Sequence, residues 1–175
     1  MKIKTIEVFE FSELSKEAKE RAHAKWIESN NYYFLSEYLN ERLHELLKEN
    51  NIVVTNDTSK AGTKPTQVQY SLSCSQGDGC MFAGTFEWMG YTVHIKQSGH
   101  YTHSNSKKLE VVDSEGVYAP DESEKAFDAM YHEICKQLEN DGYAYIEHEN
   151  SMENFEETCE ANEYTFTKDG EMEDI

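Results

Sequence analysis

A chain of 175 residues and 20.3 kDa has room for one domain rather than two, and its 12% aromatic content is too rich for a disordered polypeptide. Thirty-four acidic side chains against sixteen basic ones leave a net charge of −18 and a pI near 4.7. That balance excludes a basic protein that tracks nucleic-acid phosphates, but not a protein whose partner does so.

The first residues, Met1-Lys2-Ile3-Lys4-Thr5-Ile6-Glu7, lack the apolar stretch of a secretion signal, and no window of about 18 residues is free of polar groups. Cys74, Cys80, Cys135 and Cys159 form neither a CxxC pair nor a disulfide framework. These features predict a cytoplasmic protein with reduced thiols and no membrane contact.

Residues 3–11 alternate in the manner of a half-buried strand. Ser15 is placed to cap a helix over 16–29, in which Ala18, Ala22, Trp26 and Ile27 share a face. Asn30-Asn31 interrupts the pattern. A second helix over 33–50 carries the stripe Leu35, Leu39, Leu43, Leu46 and Leu47 opposite Glu37, Glu41, Glu45 and Lys48.

Past Asn51 the period shortens to two. A strand is expected at 52–55, a loop at 56–65, and further strands at 67–75, 81–89, 91–96 and 101–112. Gly77-Asp78-Gly79, Gly90 and Ser98-Gly99 supply the turns between them. Short links between successive strands predict an antiparallel meander. Pro120 to Glu124 opens a third helix, with Asp121 and Glu124 spaced as a capping box and Asp141-Gly142 as its stop. A fourth helix is expected over 151–162, with Met152, Phe155 and Cys159 on one side. A short strand at 164–167, a turn at 168–170 and a frayed tail at 171–175 complete the chain. The expectation is an α+β fold, an antiparallel sheet with helices mainly on one face, in a single domain spanning 1–175.

Charge is unevenly distributed. The C-terminal region 139–175 holds thirteen acids and one base, Lys168, whereas 60–108 holds five lysines, three histidines and two acids. Glutamates on a helix can serve solubility alone. Glu153, Glu156, Glu157 and Glu160, however, recur at helical spacing as one negative stripe, and a basic cleft that binds nucleic acid would accept such an array.

A second candidate site lies in the weakly basic segment. Gln76, Asp78, His100 and His103 surround the expected hairpins, where an anionic ligand or a small enzyme's acid–base groups would fit. Gly77-Asp78-Gly79 follows a strand and precedes a strand, so it reads as a turn and not as a phosphate loop, which must lead into a helix. A Ser98-Gly99 hairpin would bring His94 near His103, with Cys74 and Cys80 beside them. The spacing matches no zinc module, and neither a metal nor a cofactor is expected. Tyr70, Phe82, Phe86, Trp88, Tyr91 and Tyr101 suggest an aromatic sheet face of the kind that anchors protein partners.

Four stretches occur in order: Leu14-Ser15-x-x-Ala18-Lys19-x-x-Ala22, Ser75-Gln76-Gly77-Asp78-Gly79-x-x-Phe82, His100-Tyr101-x-His103, and Ala161-Asn162-Glu163-Tyr164-x-Phe166-Thr167-x-Asp169-Gly170. Together they resemble a family of small, mostly uncharacterised bacteriophage and prophage proteins, over nearly the whole chain. Cys74 and Cys80 are not part of that pattern. The resemblance carries no catalytic residues. It implies a phage product in the cytoplasm of an infected bacterium. By analogy with anti-CRISPR and anti-restriction proteins, it would inhibit a host nucleic-acid-directed defence protein by filling its basic cleft, without binding nucleic acid itself.

Overall fold

A computed structural model describes residues 7–55 and 66–173. In chain order the elements are β1 (Phe9–Glu10), a 3-10 turn (Phe11–Glu13), α1 (Lys16–Ser29), α2 (Leu35–Glu49) and β2 (Val53–Val54). Then come β3 (Val68–Ser71), β4 (Gly79–Phe82), β5 (Gly84–Trp88), β6 (Tyr91–Gln97) and β7 (Lys107–Val112). The chain finishes with α3 (Asp121–Glu149), α4 (Met152–Ala161), β8 (Thr165–Phe166) and β9 (Met172–Glu173). The fold is α+β, with every strand pair antiparallel. No helix among the described residues is long and apolar enough to cross a membrane. The chain divides into two compact units: one draws on residues up to Tyr33 and from Ala144 onward, the other spans Phe34–Tyr143.

In the first unit, Ser15 caps α1 as its sequence predicts, its hydroxyl accepting from Ala18 N at 3.2 Å. Ala18 and Ala22 are buried with Phe11, Leu14, Phe155, Cys159 and Phe166 in one cluster, against which Trp26 packs. Ile27 is on the exposed side. The strand expected over 3–11 shrinks to β1. Residues 3–6 lie outside the described part, and Phe11 begins a 3-10 turn because Glu13 reaches back to accept from Glu10 N at 2.9 Å. β1 pairs with β8 (Phe9 opposite Phe166), and β8 with β9. The tail expected to fray therefore contributes a strand at 172–173.

In the second unit the leucine stripe of α2 is buried as its period predicts, and Tyr33 and Phe34 precede the helix as exposed residues. The sheet order is β2-β5-β6-β7, so the meander comprises β5 to β7 with β2 added at the edge. β3 and β4 form a separate hairpin. Phe86, Val93, Ile95 and Val111 are buried on one sheet face, and Trp88 meets Phe127 of α3 edge-on at 5.3 Å. Phe82 and Phe86 are likewise fully buried and so leave the expected aromatic docking face, whereas Tyr70, Trp88 and Tyr91 are half-buried and Tyr101 is exposed. The loop expected at 56–65 lies outside the described residues.

Two boundaries move for identifiable reasons. α3 starts at Asp121 itself, with Pro120 O accepting from Ser123 N and Glu124 N, so Asp121 is inside the helix and not its cap. Asp141-Gly142 does not end α3, which continues to Glu149. Gly142 is buried, and a Cβ there would stand 2.5 Å from Leu72 Cδ1, so the glycine serves close packing rather than termination. Asp141 is held by Arg42 of α2 at 2.9 Å.

Candidate binding surfaces

α4 exists because Ser151 caps it, accepting from Asn154 N at 3.1 Å, and because Phe155 and Cys159 enter the core one turn apart. Phe155 is fully buried, with ring centroids 5.0 Å from Phe11, 5.3 Å from Trp26, 5.6 Å from His23 and 6.4 Å from Phe166. Burial pushes the Cys159 thiol up to about 11, with Glu156 adding to the shift, so it is a packing residue and not a nucleophile. With that side fixed, Glu153, Glu156, Glu157 and Glu160 all project into solvent.

The stripe borders a groove of about 620 Å³, lined by Glu10, Phe11, Ser12, Glu156, Cys159, Glu160, Glu163, Tyr164 and Thr165. Glu156 and Glu160 face the groove, whereas Glu153 and Glu157 do not line it. Lys19 lies 4.0 Å from Glu156, with its ammonium over the Phe11 ring at 5.0 Å. Nearer the C-terminus, Arg21 pairs with Asp169 at 3.5 Å and Lys25 with Glu171.

The second candidate site is only partly assembled. Asp78 and His103 line one cavity of about 320 Å³ with Cys80, Ser104, His132, Cys135, Lys136 and Glu139. Gln76 and His100 are exposed and do not line it. His94 pairs across the strands with Glu110, not with His103, because 98–106 form a loop closed by Ser98 N donating to Ser106 O at 2.9 Å. The strand expected over 101–112 accordingly begins at Lys107.

Asp78 is occupied by its own loop. Its carboxylate accepts from Ser71 Oγ at 2.8 Å, Ser73 N at 2.6 Å, Ser75 N and Oγ at 2.9 Å, and Tyr143 OH at 2.9 Å. The Ser75 backbone N–H and the hydroxyls hold it well below the ordinary carboxylate range. An acid so committed is a brace for residues 71–78 and a poor proton carrier. The capture of Ser73 N and Ser75 N also explains why the strand expected over 67–75 stops at Ser71.

Ser104, His132 and Asp128 resemble a nucleophile, base and orienter, with Ser104 Oγ 2.9 Å from His132 Nδ1 and Asp128 Oδ2 3.6 Å from Nε2. Lys107 decides against that role. Its ammonium, which can only donate, stands 3.1 Å from His132 Nε2. Nε2 must then accept, the imidazole proton sits on Nδ1, and His132 donates to Ser104 where a base would take a proton from it. Cys80 and Cys135 are both pushed up to about 12, chiefly by burial, and are likewise unactivated. Among the described residues, no three His, Cys, Asp or Glu side chains are placed to hold a metal ion.

The Ser104–Lys107–Asp128–His132 cluster escapes sequence reading because only Asp128 and His132 carry a signal, an i,i+4 pair on α3, and the lysine is 25 residues away. Comparison with protein-family models, with curated proteins and with solved structures finds no match to this chain.

Proposed function

We propose that this chain is a non-catalytic binding protein that sets the carboxylates of α4 against a cationic, nucleic-acid-binding surface of another protein. The observation that carries this reading is the outward projection of Glu153, Glu156, Glu157 and Glu160 from a helix whose other side is locked by Phe155. At about 1.5 Å rise per residue these four charges span about 10 Å, or one per roughly 3.5 Å of axis. One strand of duplex DNA presents one phosphate per about 3.4 Å.

The array is costly to the free protein. Its four like-charge neighbours at i,i+3 and i,i+4 each cost about 0.2–0.5 kcal/mol, about 1–2 kcal/mol together. The exposed Lys19 pair offsets about 1 kcal/mol of this at most. A cationic partner would relieve the rest. The resemblance to phage proteins suggests the target class: a host defence protein directed at nucleic acid, in the bacterial cytoplasm, inhibited in the manner of anti-CRISPR or anti-restriction proteins.

The test is capture from bacterial lysate on immobilised wild-type chain and on the E153Q/E156Q/E157Q/E160Q variant, with folding of both checked by circular dichroism. Wild type is expected to retain nucleic-acid-binding proteins that competing duplex DNA releases, as does raising salt from about 50 to about 200 mM. The variant is expected to retain none. Equal retention by both chains, or retention indifferent to salt, refutes the reading.

A second reading, a small enzyme or ligand-binding protein with its site at Gln76, Asp78, His100 and His103, is favoured by the cavity that Asp78 and His103 share. The commitment of Asp78 to its loop and of His132 to Lys107 weighs against it. If H103A abolishes partner capture while the glutamine variant retains it, the second reading replaces the first.

A further inference from the structure

Lys107 begins β7, and its side chain is only 7% exposed. Its ammonium finds an acceptor for each proton: Asp128 Oδ1 at 2.8 Å, Ser104 O at 3.1 Å and His132 Nε2 at 3.1 Å. The Tyr131 ring lies 4.5 Å away on a further side. His132 in turn donates from Nδ1 to Ser104 Oγ at 2.9 Å. Ser104 is thus held twice, by its carbonyl and by its hydroxyl, and these two bonds tie the loop 98–106 to β7 and α3.

The arrangement requires a neutral imidazole. A proton on Nε2 removes the lone pair that Lys107 uses and puts two positive groups 3.1 Å apart. Asp128 Oδ2, at 3.6 Å, compensates in part. The other charged and titratable groups around the ring are His103 from the loop and Asp78, Cys80, Cys135, Lys136 and Glu139 along the shared cavity. Among the described residues the loop's other hydrogen bonds stay within 98–106: Ser98 N to Ser106 O, Asn105 N to His103 Nδ1 and Ser106 N to His103 O. Tyr101 and His103 pack beside Gly77 and Gly79, so none of these contacts fastens the loop to the helix.

We propose that His132 is a proton-operated latch, which fastens the 98–106 loop to α3 at neutral pH and releases it when the imidazole is protonated. Release would withdraw His103 and Ser104 from the wall of the 320 Å³ cavity and open it toward Cys80 and Cys135. The latch belongs to the second unit and stands whether or not α4 binds a partner.

Burial and then Lys107 hold His132 below the ordinary histidine value, with His103 adding to the effect and Asp128 opposing it. The sign follows: the open loop takes up the proton more readily than the closed one. The latch is therefore intact above about pH 6.5 and loses up to tenfold in closing equilibrium per pH unit below it.

Hydrogen exchange at about pH 7.5 and about pH 5, corrected for the intrinsic rate, tests this. Protection of the 98–106 amides is expected to fall roughly tenfold in the wild type and in H103Q, and to be independent of pH in H132Q. A pH response that is absent from the wild type, preserved in H132Q or lost in H103Q overturns the proposal. So does a parallel loss of protection in β6, which would mean global unfolding. Should H132Q fail to fold, the wild-type imidazole still decides: ¹⁵N shifts at neutral pH are expected to place its proton on Nδ1, and an Nε2-protonated ring refutes the latch.

Discussion

Gly170 offers a quantitative check on how the first unit is packed. It closes the turn between β8 and β9, where its N–H donates to Thr167 O at 2.9 Å, and it is buried at φ +83°. A Cβ at this position would lie 2.2 Å from the carbonyl oxygen of Ala18 and 3.0 Å from its carbon. Ala18 is itself fully buried in α1, so the obstacle is fixed backbone and not a mobile side-chain end. Gly90 has the same φ of +83° with nothing within 4 Å, which makes it a matched control. G90A should cost only the left-handed backbone penalty, about 1–2 kcal/mol. G170A adds overpacking of about 1–3 kcal/mol, for a total of about 2–5 kcal/mol against a typical stability of about 5–15 kcal/mol. Each unit holds one tryptophan, Trp26 and Trp88, so fluorescence in a W88F background reports the first unit and in a W26F background the second. With a urea slope of about 2 kcal/mol per M, G170A should lower the first unit's midpoint by about 1–2.5 M and G90A the second's by less than about 1 M. A G170A cost no greater than that of G90A would refute the close approach to Ala18.

Two further outcomes follow from side chains that bond backbone groups of other residues. In Y131F the lost hydroxyl, which donates to Phe82 O at 3.0 Å and accepts from Phe82 N at 3.3 Å, should cost the second unit about 1–3 kcal/mol in urea unfolding. A change below about 0.5 kcal/mol would mean that these contacts carry no net stability. Because Asp78 titrates below its ordinary value, its contribution is complete above about pH 4 and drains away as pH falls toward the depressed value. Thermal unfolding of wild type and D78N should therefore differ most near neutrality and converge as the solution is acidified below about pH 4. A gap as wide at about pH 2.5 as at about pH 6 contradicts the brace.

Much of the fold was legible because long apolar periods leave little choice. The Leu35 to Leu47 stripe, the Ser15 cap and the shared side of Met152, Phe155 and Cys159 place three helices within a residue or two. The errors cluster where a distant side chain overrides a local signal. Gly142 reads as a stop until Leu72 is seen to need its space, and the strand through Ser73 and Ser75 reads as continuous until Asp78 takes their amides. The bonds of Asp128 and His132 to Lys107 were invisible for the same reason, since nothing local announces a bond to a residue in another element. The acidic stripe was legible because a single helix contains all of it. Its groove was not, since Glu10 and Glu163 come from opposite ends of the chain.

That last separation has a consequence for biosynthesis. Phe9 waits for Phe166, whereas every pairing from Val53 to Val112 is internal to the middle of the polypeptide. As the ribosome works from N- to C-terminus, the central segment can fold while its amino-terminal neighbour still lacks the strand and helix it must close upon. The α4 glutamates acquire their platform only once β8 and its Phe166 have emerged, so a truncation before Thr165 would leave a folded middle and no organised acidic face.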